Sequence, residues 1–168
     1  MSKHAVVWVS TVLYTLITLA LISFVLVAVK PVIDKNRDKA IIEQSVEMLD
    51  RIDETIEQTS FVPGTVMKVE FLIKRGMLII NASNDSISWE LEDSSYAYSE
   101  PGQKIVRGKK AILTKQNPAG KWFVSITLNY NYNITYNNQE TSKVFIPSEI
   151  PYSIFVKNKG NNTLDFYT

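Results

Sequence analysis

Residues 5–29 read AVVWVSTVLYTLITLALISFVLVAV, a run of 25 positions without a charge, a glycine or a proline. As a helix it is about 37 Å long, more than the ~30 Å hydrocarbon core of a bilayer, so it can cross with some tilt. A cleaved secretory signal would carry an apolar stretch of only about 7–15 residues ending in a small-x-small site. This run is longer and leads into a second helical pattern, which favours a retained anchor in the lipid bilayer. Thr11, Thr15 and Thr18 are spaced +4 and +3, so they share one helical face with Tyr14 beside them. Small hydroxyl residues let helices approach closely in lipid, and the stripe is a candidate helix–helix contact. Each hydroxyl can instead bond back to its own helix. The run holds no ionisable group, which argues against a proton or ion pathway.

Outward from this run, residues 1–4 form a short basic tail, and 30–60 an amphipathic helical stalk. Pro31 either opens a new helix or kinks a continuous one. Ile42, Val46, Leu49, Ile52 and Ile56 recur at helical spacing as one narrow apolar stripe, with Asp53 where a seam would want another apolar residue. Such a stripe packs on the chain's own head, on neighbouring copies, or on both. We take Ile42, Val46, Leu49 and Ile56, with the three threonines, as candidate assembly residues. Removal of the N-terminal region, as in a chain starting at Thr59, is expected to abolish assembly and leave a soluble head.

From Thr65 the period changes to two, with turn residues every few positions. Met67, Val69, Phe71 and Ile73 alternate before a hairpin expected at Arg75-Gly76. Ile87, Trp89 and Leu91 follow the Asn84-Asp85 turn, and Tyr96 and Tyr98 precede Pro101-Gly102. Runs at 103–107 and 110–114 lead to the Asn117-Pro118-Ala119-Gly120 turn, after which Trp122, Val124, Ile126 and Leu128 give the clearest inward face. Further strands fit near 130–136, 142–146, 152–157 and 162–167. The fold class is α+β: a long N-terminal transmembrane and amphipathic helix, then an antiparallel β-sandwich head at 61–168.

Cysteine is absent and the one histidine is His4, which excludes thiolate metal sites, disulfides and most histidine chemistry. Lys plus Arg is 18 against 17 for Asp plus Glu, so net charge does not select a partner. Glu90, Glu92 and Asp93 cluster at a strand end, but their spacing matches no metal loop. The sequence offers no catalytic constellation, no metal site and no cofactor motif, and an enzyme is not expected.

Lys104, Arg107, Lys109, Lys110, Lys115 and Lys121 fall in a segment without acids, followed by Tyr130, Tyr132 and Tyr136. The segment fits a lysine-guarded sheet edge or a surface for an anionic or glycan partner. Nucleic acid, which needs the same mixture, is the weakest of the three readings. Orientation is contested. The basic residues Lys30, Lys35, Arg37 and Lys39 favour the C-terminal part inside. The sequons at Asn81, Asn84, Asn133 and Asn161 and the very short tail favour it outside, the orientation adopted here: a single-pass protein of the cell membrane with an extracellular head, or a surface filament.

The stretch VSTVLYTLITLALISFVLVAVKPVIDKNRDKAIIEQ (residues 9–44) resembles the N-terminal region of archaeal type IV pilin-like proteins with a class III signal peptide. The stretches YSEPG, NITY and PYSIFVKN look like the heads of such proteins. The resemblance implies cutting by a prepilin-peptidase-type enzyme ahead of the apolar helix, bundling of helices into a filament core, and outward-facing heads with an adhesive role. Here Lys3-His4-Ala5 sets a histidine between the basic residue and the helix, and the carboxylate that bacterial relatives carry near the helix start is missing. An uncut chain would remain a monomeric, membrane-anchored binding module.

Overall fold

The computed structural model describes residues 8–168 in full and the helical backbone from Lys3. The basic tail, with its expected processing point at Lys3-His4-Ala5, lies outside the fully described residues. One helix, α1 (Lys3–Ser60), contains Pro31. Ten strands follow: β1 (Val66–Phe71), β2 (Met77–Asn81), β3 (Ser86–Ser94), β4 (Lys104–Arg107), β5 (Lys110–Gln116), β6 (Trp122–Asn129), β7 (Asn133–Tyr136), β8 (Lys143–Phe145), β9 (Tyr152–Gly160) and β10 (Thr163–Tyr167). The chain divides into two compact units, Met1–Arg37 and Asp38–Thr168.

In the first unit the described side chains stand almost entirely exposed; Trp8, Phe24 and Val27 are each 75 % accessible. The helix is long enough, and holds an 18-residue stretch apolar enough at a mean hydropathy of 2.7, to cross a membrane or to act as a signal sequence.

In the second unit the sheets are packed together with the helical segment from Asp38 onward. One sheet has the order β1-β9-β10-β7 and the other β4-β5-β6-β3-β2-β8. Their common core takes Ile42, Leu49, Ile52 and Ile56 from the helix, Val69, Ile154, Val156, Leu164 and Phe166 from the four-stranded sheet, and Leu78, Ile80, Trp89, Val124 and Ile126 from the six-stranded one. The helical stripe recurs at 3–4 residues and the strand residues at two, so each element turns a single apolar face inward.

Two features depart from the sequence expectations, and a third lies outside them. First, Arg75-Gly76 is no hairpin: β1 and β2 lie in different sheets, and the turn carries the chain across the core. Gly76 has φ +81°, and a Cβ there would collide with the Glu90 carbonyl oxygen and lie 3.0 Å from the Trp89 ring, so the crossover needs glycine. Secondly, β10 runs parallel to β7, making the smaller sheet mixed. Asn137-Asn138 and Asn161-Asn162 all have positive φ and form tight two-residue reversals, the second joining β9 to β10. Thirdly, Tyr96 and Tyr98 lie in a loop packed against the core, outside any strand.

Candidate functional site

Two surfaces carry the functional argument: the apolar helix of the first unit, and the face of α1 that the head holds. On the first, Thr15 Oγ1 donates to the Thr11 and Val12 carbonyls at 2.8 and 2.9 Å, and Thr18 Oγ1 to the Tyr14 carbonyl at 2.8 Å. Both hydroxyls are satisfied within the helix, so close packing by small side chains is what this face offers a neighbour. Thr11 is exposed along the same surface.

On the second, Ile42, Leu49 and Ile56 are each 0 % exposed. Val46 is partly buried against the same core. Of the two supports open to the stripe in the sequence, the chain's own head has taken it. These four side chains therefore present little surface to another copy.

Polar bonds rim this contact. Asp38, nearly inaccessible, pairs with the Arg75 guanidinium and accepts the Ser95 N–H at 2.6 Å; Arg75 also donates to the Asp93 carbonyl at 3.1 Å. Lys110 pairs with Asp50, and Lys109 with Asp53 at 2.7 Å and Glu57 at 2.5 Å. The Tyr130 hydroxyl donates to Asp53 at 2.9 Å. This explains the charge in the apolar seam: Asp53 receives two donors, Lys109 from the β4–β5 turn and Tyr130 from the segment just after β6. Burial opposes the charge on Lys109, but the Asp53 and Glu57 carboxylates outweigh it and hold its pKa above the usual lysine value. Burial, then the Asp53 charge, drives the Tyr130 phenol far upward, so it stays a donor. At the helix end, Asn158 Nδ2 donates to the Thr59 and Ser60 carbonyls at 3.1 and 3.0 Å, serving groups the helix leaves open.

The basic segment is dispersed by this arrangement. Lys109 and Lys110 are engaged by the helix, and Lys121 donates to Ser95 Oγ at 2.8 Å. The register places Lys104, level with Leu113, and Lys115 on one sheet face, while Arg107 sits level with Lys110 on the other. Lys104, Arg107 and Lys115 are exposed but are not gathered by the strands into one patch. The sequon residues are separated too. Asn84, Asn133 and Asn161 are exposed, on the short 3-10 turn after β2, at the start of β7 and in the β9–β10 turn; Asn81 is half-buried and accepts Ser142 Oγ at 3.3 Å.

Among the described residues no group of three or more His, Cys, Asp and Glu side chains could hold a metal. Glu90 is raised above the ordinary carboxylate value by burial and then by the Glu92 charge, which marks it as desolvated within the acidic strand end. Comparison with protein families, with curated proteins and with solved structures returns no match. A long apolar N-terminal helix joined to a β-sheet head is consistent with a type IV pilin-like architecture.

The sequence did not point to Asp38, Arg75, Asp50 or Glu57. The one available signal was Asp53, a charge at an apolar seam position, which calls for a donor across the contact.

Proposed function

We propose that this chain is a pilin-like cell-surface subunit. Residues 5–29 associate with their counterparts in the bilayer or in a filament, and the β-sheet head is displayed outside the cell for adhesion. One observation carries the reading: the helix has two apolar segments with opposite fates. The stripe from Ile42 to Ile56 is covered by the head, whereas the side chains of residues 8–29 are left bare along the helix. A bare apolar surface of this length must be covered by lipid or by like helices. A prepilin-peptidase-type enzyme is the proposed processing partner, and nucleic acid has no place in the scheme.

The test combines mass spectrometry of the mature N-terminus with protease treatment of intact cells. Loss of the tail up to about Ala5, with a head that protease removes from whole cells, supports the proposal. An intact Lys3 with a head cut only after lysis overturns it.

A second reading is a monomeric, single-pass anchored binding module. The internal bonds of Thr15 and Thr18 favour it, since they leave no hydroxyl that requires a partner helix. An intact Lys3 with an accessible head selects this reading.

A further inference from the structure

The end of α1, the β6–β7 connection and the β9–β10 turn enclose a pocket of about 190 Å³. Ser60 and Phe61 line it from the helix end, Tyr132 from the connection, and Asn161, Asn162 and Thr163 from the turn. None of the lining residues carries a charge. The volume is below the ~300 Å³ at which pockets begin to hold drug-sized molecules, and suits a single small ring.

The walls are held in place by the fold. Buried Asn158 fastens the helix end through its two carbonyl bonds, and its Oδ1 accepts the Gly160 N–H at 2.9 Å. Asn162 Nδ2 donates to the Asn131 carbonyl at 2.5 Å, and the Tyr132 hydroxyl to Ser60 Oγ at 3.2 Å. Two groups are left over. The Asn161 side-chain amide bonds no protein group among the described residues. Phe61 is 79 % exposed, a whole aromatic face set beside amides and hydroxyls.

Each alternative ligand class lacks its counterpart here. An anion would find no lysine or arginine and the negative end of a helix; a cation would find no carboxylate; an apolar ligand would strand the amides. A sugar ring meets both halves of the wall. Its C–H faces lie on aromatic rings, and its hydroxyls donate to and accept from amide and hydroxyl groups. We propose that this pocket binds the ring of a neutral saccharide. The ring belongs to a glycan on another surface or to one carried by the chain itself at the Asn161-Asn162-Thr163 sequon. The proposal does not depend on filament assembly.

The test uses the full chain, produced without glycosylation, in phospholipid nanodiscs free of glycolipid and glycoside detergent. Methyl glycosides of glucose, galactose, mannose and N-acetylglucosamine are offered in turn, with binding read by saturation-transfer NMR. At least one should bind, and Phe61→Ala should weaken it at least about tenfold. Ile150→Ala, equally exposed but outside the pocket, should leave binding unchanged. No transfer from any of the four, or full binding by the Phe61→Ala chain, overturns the proposal. Glycopeptide mass spectrometry of the naturally produced chain then separates the sources. A sugar on Asn161 with free-glycoside binding lost assigns the pocket to the chain's own glycan; an unmodified Asn161 with binding retained assigns it to an external one.

Discussion

Starting the chain at Thr59 removes Ile42, Leu49, Ile52 and Ile56, all wholly buried in the head. Burying one such side chain is worth about 1.5–3 kcal/mol, so the four contribute about 6–12 kcal/mol. The whole stability of a domain is about 5–15 kcal/mol. The deletion also opens the buried core that these four residues share with both sheets, and strips Lys109, Lys110 and Tyr130 of their acceptors. A chain of residues 59–168 is therefore expected to be unfolded or aggregated, contrary to the soluble head that the sequence pattern, with its change of period at Thr65, suggests. A chain of residues 38–168 keeps every one of these contacts. The two are compared by urea unfolding, followed by far-UV circular dichroism and by tryptophan fluorescence, since Trp89 is inaccessible only in the folded head. The longer chain should show one cooperative transition and the shorter none. A soluble, monomeric 59–168 chain with a cooperative transition and buried Trp89 would refute the reasoning, because the sheets would then close without the helix.

Asp38→Ala leaves the Ser95 N–H without its acceptor and the Arg75 guanidinium with the Asp93 carbonyl alone; with Arg75 partly exposed, the expected loss is about 1–3 kcal/mol of unfolding free energy in urea. Gly76→Ala forces a Cβ toward the Glu90 carbonyl at positive φ, and should cost about 2–4 kcal/mol, read as a lower midpoint with an unchanged denaturant slope. Glu90 has a raised folded pKa, so the folded head holds its proton more tightly than the unfolded chain. Stability should therefore fall as pH rises through the range just above the ordinary carboxylate value, and Glu90→Gln should flatten that part of the stability–pH curve. A variant curve identical to the parent's would show that Glu90 is not desolvated as described.

The α+β organisation was legible because its two signals are periodic and strong: the uncharged run at 5–29, and the alternation in Trp122–Leu128 and Ile87–Leu91. Strand positions carried over well, since each has a buried face that sets its register. What the local pattern could not carry was pairing. Arg75-Gly76 has the composition of a hairpin turn, yet the Trp89 ring packed against Gly76 belongs to a crossover between sheets. The parallel β7–β10 pair likewise joins segments distant in sequence. Asn-Asn at 137–138 and 161–162 is a local turn signal, since asparagine tolerates the positive φ that all four residues adopt. At the candidate sites, the narrow stripe could not say which surface would cover it, because a head and a second copy offer the same apolar chemistry. The basic segment looked continuous in sequence, but strand alternation splits its side chains between two faces, and two lysines answer acids on the helix.

The central claim is that residues 8–29 lie against the same residues of other copies. The chain has no cysteine, so single substitutions report contacts without background. Cysteine placed in turn at each position from Trp8 to Val29 in the natural membrane or surface fraction, followed by oxidation and non-reducing electrophoresis, measures this directly. The expected result is cross-linked dimers recurring every three to four positions, strongest along the face of Thr11, Thr15 and Thr18. Dimers at no position, with the chain still in the membrane, would contradict the account and leave a solitary anchor.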